Sequence, residues 1–491
     1  MTPDDFNAAR RAFILRLGAG LGWLTAAELI GTPAWAQQEP AGRGGSAAPP
    51  AGAPYSNGVL RTPHVPPTAK RIIYLHMLGA VSQVDTFDYK PTLAKLHGQE
   101  LPPSVRGTSR LSTMVAGQTS FPIIGPLAPF KPGGASGILV SDLLPYTREI
   151  VDDICVIRSM RTDQVNHDPA SKFLHTGFRL AGRPSIGAWV NYALGSDNHD
   201  LPAFIVMSSG NIMGVPTDSN TWGAGFLESR YQGVPFRAGD DPVAYISRPD
   251  GITERDRREM LDLIAALSKS QAEVSRDPEI ASTVSQYEMS YRMQKSVPEV
   301  ADISKEPDHV LELYGPDVKK PGTFAQHCLL ARRLAERGVR HTMIIALGWD
   351  HHNAIARGEP NSCRIVDQPV AALVKDLKQR GLLEDTLVVF NTEFGRTSFA
   401  QGALKGAYGR DHHGECYSVW LAGGGIKGGI VHGETDEFSY NITKDPVDVH
   451  DLNATILRTL GIDHQKLTFR SQGRDFRLTD VAGRVVKEIL A

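Results

Sequence analysis

Three short runs in the second half of the chain place carboxylates and histidines directly after apolar, strand-like segments. They are Asp350-His351-His352 after residues 342–347, Glu393 after 386–390, and Asp411-His412-His413 a little further on. Imidazole nitrogen and carboxylate oxygen together suit zinc, manganese or iron better than calcium or magnesium. His351 and His352 are adjacent, so only one of the pair is expected to face such a site. Asp411-His412-His413 alone could equally be a solvated polar loop; the three runs together point to a metal.

The elements that must bring these runs together can be read from the segments between them. Asp367 to Arg380 has apolar residues at helical spacing, with Asp367 as predicted N-cap, Pro369 in the first turn and Gly381 just past the end. Strand, helix and strand in that order predict a right-handed crossover between parallel strands, an α/β arrangement. Both strand ends then point the same way, to the carboxyl edge where open α/β sheets bind ligands. Upstream, 71–77 reads as a buried first strand, followed by a loop carrying Gly79, Ser82, Asp85 and Asp88. A strand at 154–157 leads into Asn166-His167-Asp168-Pro169 and a helical run that stops at Gly177. With Asp168 as N-cap and Pro169 as first helical residue, the free N–H groups there would suit an anion, although an ordinary capped helix has the same sequence. Residues 251–313 are charged and helix-favouring, a predicted helical insertion, and 325–337 reads as an amphipathic helix.

Composition sets the surroundings. The chain has 491 residues, 41% of them apolar, and a formal charge of −2 with no basic cluster, which argues against nucleic acid as a partner. Ala9-Arg10-Arg11-Ala12-Phe13-Ile14 has the pattern of a twin-arginine export signal, with an apolar stretch to Ile30 and a small-residue cleavage site at Ala34-Trp35-Ala36. The expected domains are a signal peptide over 1–36, a Pro/Gly/Ala-rich linker over 37–70, and a folded body over 71–491. No other segment is apolar enough to span a bilayer, so a periplasmic or secreted protein without stable membrane insertion is expected. Cys155, Cys328, Cys363 and Cys416 show no C-x-x-C spacing, and sequence does not choose a pairing or an oligomeric state.

The segments Ser82 to Asp88, Asn166-His167-Asp168, Gly348 to His352, Thr392 to Arg396, Gly409 to His412 and 421–429 resemble the exported bacterial family called domain of unknown function 1501. That family is similar to the alkaline phosphatase and sulfatase superfamily. The resemblance implies a doubly wound, mostly parallel α/β sheet and one or two divalent ions, zinc or manganese favoured. It carries Asp350, His352, Glu393 and His412 over as metal ligands, with Asp85 as a further one after the first strand. It also implies an ester of phosphate or sulfate, on a small molecule or a glycan, as substrate.

The chain departs from the superfamily at the nucleophile. The stretch matching the formylglycine motif of sulfatases is His167-Asp168-Pro169-Ala170-Ser171, without Cys or Arg, and the Ser or Thr of phosphatases is missing too. His167 is left as a ligand, a nucleophile or a proton donor, with Ser82 and Ser171 as fallback nucleophiles. Arg396, three residues after Glu393, could offer its fork to a developing oxyanion or form a surface ion pair. The expected function is an exported metal-dependent ester hydrolase without formylglycine. The alternatives are a non-catalytic binding protein that keeps the fold and, with less support, an iron redox enzyme.

Overall fold

Residues 71–78 are apolar on both faces except for Arg71 and His76, the pattern of a strand covered above and below. They form β1 (Arg71–Leu78), near the middle of a nine-stranded sheet in the computed structural model of this chain. The structure describes residues 58–108, 111–210, 219–237, 242–243, 251–275, 277–404 and 406–491. The predicted export signal and most of the predicted linker lie outside them. Two units divide the chain, 1–48 with 470–474 and 49–469 with 475–491, and all the elements named below belong to the second.

The other strands of the sheet are β2 (Ile154–Arg161), β3 (Phe204–Ser209), β4 (Val234–Phe236), β5 (His341–Leu347), β6 (Thr386–Asn391), β9 (Tyr417–Ala422), β10 (Ile430–His432) and β11 (Val447–Asp448). Between β6 and β9 the chain makes a separate antiparallel hairpin, β7 (Gly395–Gln401) with β8 (Gly409–His413). The order across the sheet is β10-β2-β9-β6-β1-β5-β3-β4, with β11 beside β2. β1 pairs in parallel with β5 and β6, whereas β9 runs antiparallel to both of its neighbours. The predicted crossover from β5 to β6 therefore steps over β1.

Helices cover both faces, which makes the fold doubly wound. One face buries Ile73, Leu75 and Met77 of β1 under α4 (Pro278–Ala301), α5 (Asp308–Tyr314), α6 (Phe324–Glu336) and α7 (Ile355–Gln379). The other buries Ile72 and Tyr74 under α2 (Ile186–Leu194) and α8 (Val449–Thr459). α3 (Glu254–Ser275) pairs with α4 through Arg258 and Glu288, so the predicted insertion is a pair of long helices followed by α5. Helix α1 (His167–Thr176) follows β2 and ends at Gly177, whose φ of 66° is the left-handed conformation that glycine adopts most easily.

Several boundaries differ from the sequence reading for identifiable reasons. The helix predicted to start at Asp367 begins at Ile355, and Asp367 lies buried in its interior. Its carboxylate accepts the N–H groups of Tyr146 and Thr147 (2.8 Å each) and the Thr147 hydroxyl (2.6 Å), so it caps a different segment, the 3-10 turn Thr147–Asp153. In α1 the N-cap is Asn166, two residues earlier than predicted, and Asp168 pairs with Lys172 instead. The body also takes in the end of the predicted linker: Val59 and Leu60 donate to carbonyls of Tyr192 and Ala193, and Thr68 and Ala69 to that of Thr459.

Candidate metal centre

Three segments meet at the carboxyl edge of the sheet. Asp350 and His352 follow β5, His167 is the first residue of α1, and His412 lies on β8. Oδ1 of Asp350 lies 2.8 Å from His352 Nε2, 3.2 Å from His167 Nε2 and 3.3 Å from His412 Nε2. One donor atom from each of the four residues falls within 4.8 Å of every other. Phe394 packs against His167 and His412 at ring distances of 4.9 and 4.6 Å, giving the cluster an aromatic wall.

The opposite nitrogen of each imidazole is held by an acceptor. His167 Nδ1 lies 2.5 Å from Glu393 Oε1, His352 Nδ1 2.5 Å from Gln401 Oε1, and His412 Nδ1 2.7 Å from the Val165 carbonyl. All three partners accept protons, so a neutral imidazole in each position carries its proton on Nδ1 and directs the Nε2 lone pair inward. Three lone pairs around one carboxylate are mutually repulsive unless a cation or added protons stand among them. Nε2 of His167 is buried and lacks an aligned hydrogen bond despite its closeness to Asp350. The donor set and this unmatched nitrogen fit a divalent ion of the zinc or manganese type.

Glycine 79 makes the arrangement possible. It sits at φ 120°, and a Cβ there would fall 2.6 Å from the Asp350 nitrogen, so only glycine lets the ends of β1 and β5 approach so closely. Its N–H donates to Glu393 Oε1 at 2.8 Å.

Electrostatics follow from these contacts. Burial opposes ionisation of Asp350, but the three imidazoles and Arg396 hold its carboxyl far below the usual range. Burial likewise opposes a charge on Glu393, and His167 and His76 overcome it, keeping the carboxyl well below its ordinary value. For His167, burial alone would favour the neutral ring, yet the flanking carboxylates raise it to about 9 in the ion-free protein. Burial lowers His412 to about 4, against a smaller opposing pull from Asp350, so this ring is neutral at pH 7.

The residues picked from sequence are therefore distributed as follows. Asp350, His352, His412 and His167 come together. Glu393, predicted as a ligand, stands behind His167 and grips its far nitrogen. Asp85 is not brought to the cluster: the chain after β1 coils into a helical turn, Gln83–Thr86, which delivers the carboxylate to Arg410 at 2.8 Å, with Ser82 Oγ at 2.5 Å. That bond also engages Ser82. Arg396 is fully buried, donating to Asp350 at 2.6 Å and to the carbonyls of Gly79, Ala80, Trp349 and Arg410, so its fork serves the protein and not an external oxyanion. His351 turns away, to Ser362 Oγ at 3.2 Å. Asp411-His412-His413 is a strand of the hairpin, not a loop, and Asp411 accepts from Ser112. Sequence reasoning did not single out Gln401, Val165 or His76, the last of which donates toward Glu393 Oε2 at 3.3 Å.

A model of the family described as protein of unknown function (DUF1501) matches residues 69–490. The chain belongs to this family. No curated protein matches the sequence. Among solved structures, the DUF1501 chain is similar to a sulfatase from Pseudoalteromonas sp. (13% identity, 80% of this chain and 68% of that one, TM-score 0.32). It is also similar to the lipoteichoic acid synthase of Listeria monocytogenes (9%, 86% and 78%, 0.35) and to a phosphonate monoester hydrolase from Silicibacter pomeroyi (13%, 71% and 71%, 0.31).

Proposed function

We propose that this DUF1501 protein is a metal-dependent hydrolase of phosphate or sulfate esters that works without formylglycine. The observation that carries the proposal is the convergence of three imidazole Nε2 atoms and one carboxylate, each imidazole held at Nδ1, beside the start of α1. An ion held by His167, Asp350, His352 and His412 would supply a Lewis acid for an ester oxygen and lower the pKa of water at an open position. The chain's own residues do the rest. Glu393 keeps the proton of His167 on Nδ1, and Arg396 anchors Asp350 from behind. The first-turn N–H groups of α1, at the positive end of its dipole, suit an anionic ester. Zinc or manganese matches the donors, and the four converging atoms fit one ion.

Export by the twin-arginine route is part of the same proposal, supported by Arg10-Arg11 and Ala34-Trp35-Ala36. Among the described residues no helix is long and apolar enough to cross a membrane.

A second reading, a binding protein that retains the site, is favoured by two observations: no Ser, Thr or Cys opens α1, and Arg396 spends its donors internally. One experiment separates the two. The full chain and its Asp350→Ala variant are analysed for metal content and assayed on aryl phosphates, aryl phosphate diesters, aryl sulfates and phosphonate monoesters. About one equivalent of zinc or manganese with turnover, both lost in the variant, is expected. An ion held without turnover would transfer the proposal to the binding protein, and a wild type without an ion would overturn the metal centre itself.

A further inference from the structure

Behind Glu393 lies a pair of histidines that the proposed chemistry does not use. His76 stands in β1 on the face shared with Ile72 and Tyr74, and His175 is in the last turn of α1; their residues are 1% and 0% exposed. His175 Nε2 lies 3.0 Å from His76 Nδ1, and His76 Nε2 lies 3.3 Å from Glu393 Oε2. Packing alone would place Leu or Met at both positions, since an imidazole buried among apolar side chains costs free energy that only hydrogen bonds offset.

The direction of the chain follows from chemistry. An ionised Glu393 only accepts, so His76 Nε2 must carry a proton. A neutral His76 then accepts at Nδ1, which obliges His175 Nε2 to donate. His175 is neutral, because burial holds it well below its ordinary value, and its Nδ1 is left without a partner. Glu393 Oε1 meanwhile receives the Gly79 N–H and the His167 Nδ1–H. Donors thus reach the carboxylate from both sides, and α1 supplies residues to both ends of the array, His167 at its start and His175 at its end.

We infer that His76 and His175 are positioning residues for the metal centre: their donor chain fixes the Glu393 carboxylate so that it in turn holds His167 with Nε2 facing the ion. This inference rests on the metal centre proposed above. Metal-bound histidines usually give their second N–H to such a partner, and loss of the partner costs 10- to 100-fold in affinity.

The test compares His76→Leu, His76→Gln and His175→Leu with the wild type, each as the full chain. Zinc affinity is measured by chelator competition, the absorption spectrum of the cobalt-loaded protein is recorded, and thermal stability is scanned. His76→Leu, one hydrogen bond further from the ion than that partner, should lose up to about tenfold in zinc affinity and alter the cobalt spectrum. His175→Leu should lose less. His76→Gln, whose amide still donates to Glu393, should recover wild-type affinity and spectrum even where its thermal stability matches that of the Leu variant. The inference is overturned if His76→Leu binds zinc like the wild type, or if His76→Gln falls as far as His76→Leu. A metal-independent readout covers failure of the metal centre itself. In protein labelled with 15N-histidine, the low-field Nδ1 proton of His167, assigned with His167→Gln, should be seen in wild type and His76→Gln and be shifted or lost in His76→Leu. An unchanged proton in His76→Leu would overturn the inference whether or not the wild type takes up an ion.

Discussion

Asp350→Asn removes one charge while keeping the shape of the side chain, and its consequences can be worked out from four distances. Oδ1 of Asp350 receives Arg396 at 2.6 Å and faces the Nε2 atoms of His352, His167 and His412 at 2.8, 3.2 and 3.3 Å. Two unit charges 4 Å apart interact by about 4 kcal/mol at an effective dielectric of 20, and a divalent ion at shorter range gains more. An amide oxygen retains part of that, so a loss of about 4 kcal/mol, or about a thousandfold in zinc affinity, is the expected scale. Stability should respond less. Arg396 keeps four carbonyl acceptors and the amide oxygen still receives its N–H, while the Asp350 side chain is 29% exposed and partly screened. Breaking a buried pair costs roughly 3–5 kcal/mol, so about 1–2 kcal/mol is expected for this partly exposed one. The assays are chelator competition with zinc and denaturant unfolding of the zinc-free proteins. A variant that binds zinc within tenfold of wild type would refute the placement of the ion. So would one that unfolds outright, since Asp350 would then be structural before it is a ligand.

Other perturbations probe the supports. Gln401→Leu takes away the acceptor of His352 Nδ1 and should weaken zinc binding about tenfold with little change in unfolding free energy; an unchanged affinity would remove Gln401 from the site. Asp367→Ala leaves the N–H groups of Tyr146 and Thr147 unpaired and should destabilise the protein by about 3 kcal/mol without touching zinc affinity, measured by denaturant unfolding and competition. Glu359 is buried, its Oε2 without a hydrogen bond and 3.8 Å from His351 Nε2, and burial followed by repulsion from Asp85 raises its carboxyl to about 8. The folded chain keeps this proton where the unfolded chain releases it, so stability should fall as pH rises from about 4.5 to about 8 and be unaffected by this group outside that window. Glu359→Gln should remove that slope, matching wild type near pH 4.5 and exceeding it by roughly 4 kcal/mol at pH 9, and parallel pH profiles would disprove the assignment.

Much of the fold was legible because the parallel strands announce themselves. Arg71–Leu78, His341–Leu347 and Thr386–Asn391 are nearly continuous apolar runs, and each is followed within four residues by polar ones: Ser82, Asp350 and Thr392-Glu393. Asp350, His352 and Glu393 could be picked out because they stand just beyond such runs, whereas His412 was picked out only by its Asp-His-His neighbourhood. What stayed hidden depends on contacts without a local signature. Asp367 looks like an N-cap because Pro369 follows it, yet the carboxylate serves a segment some two hundred residues away, and α7 runs straight through. Asp85 stands where a ligand belongs after a first strand, but its local turn is helical and Arg410 claims it. Val165 contributes only a carbonyl, which no side-chain pattern can mark, and Gln401 is one polar residue at the end of a hairpin strand. His76 did leave a trace, a single imidazole inside an apolar strand, but in sequence that reads as packing.

The division of labour around Glu393 also bears on how such a site survives without an ion. Asp350 and Glu393 bring two negative charges to a largely buried place, and Arg396 and a protonated His167 bring two positive ones. Unpaired, either carboxylate would cost several kcal/mol to bury; paired in this way, they leave the ion-free cluster close to neutral. Arg396 is bonded to carbonyls of three segments, Gly79 and Ala80 after β1, Trp349 after β5 and Arg410 on β8, so the framework stands on bonds that no ion has to supply. His167 must then give up a proton from Nε2 for a cation to enter, while Glu393 retains its hold on Nδ1. The geometry thus asks for exchange of a proton for an ion within a formed site, and not for an ion that folds the site around itself.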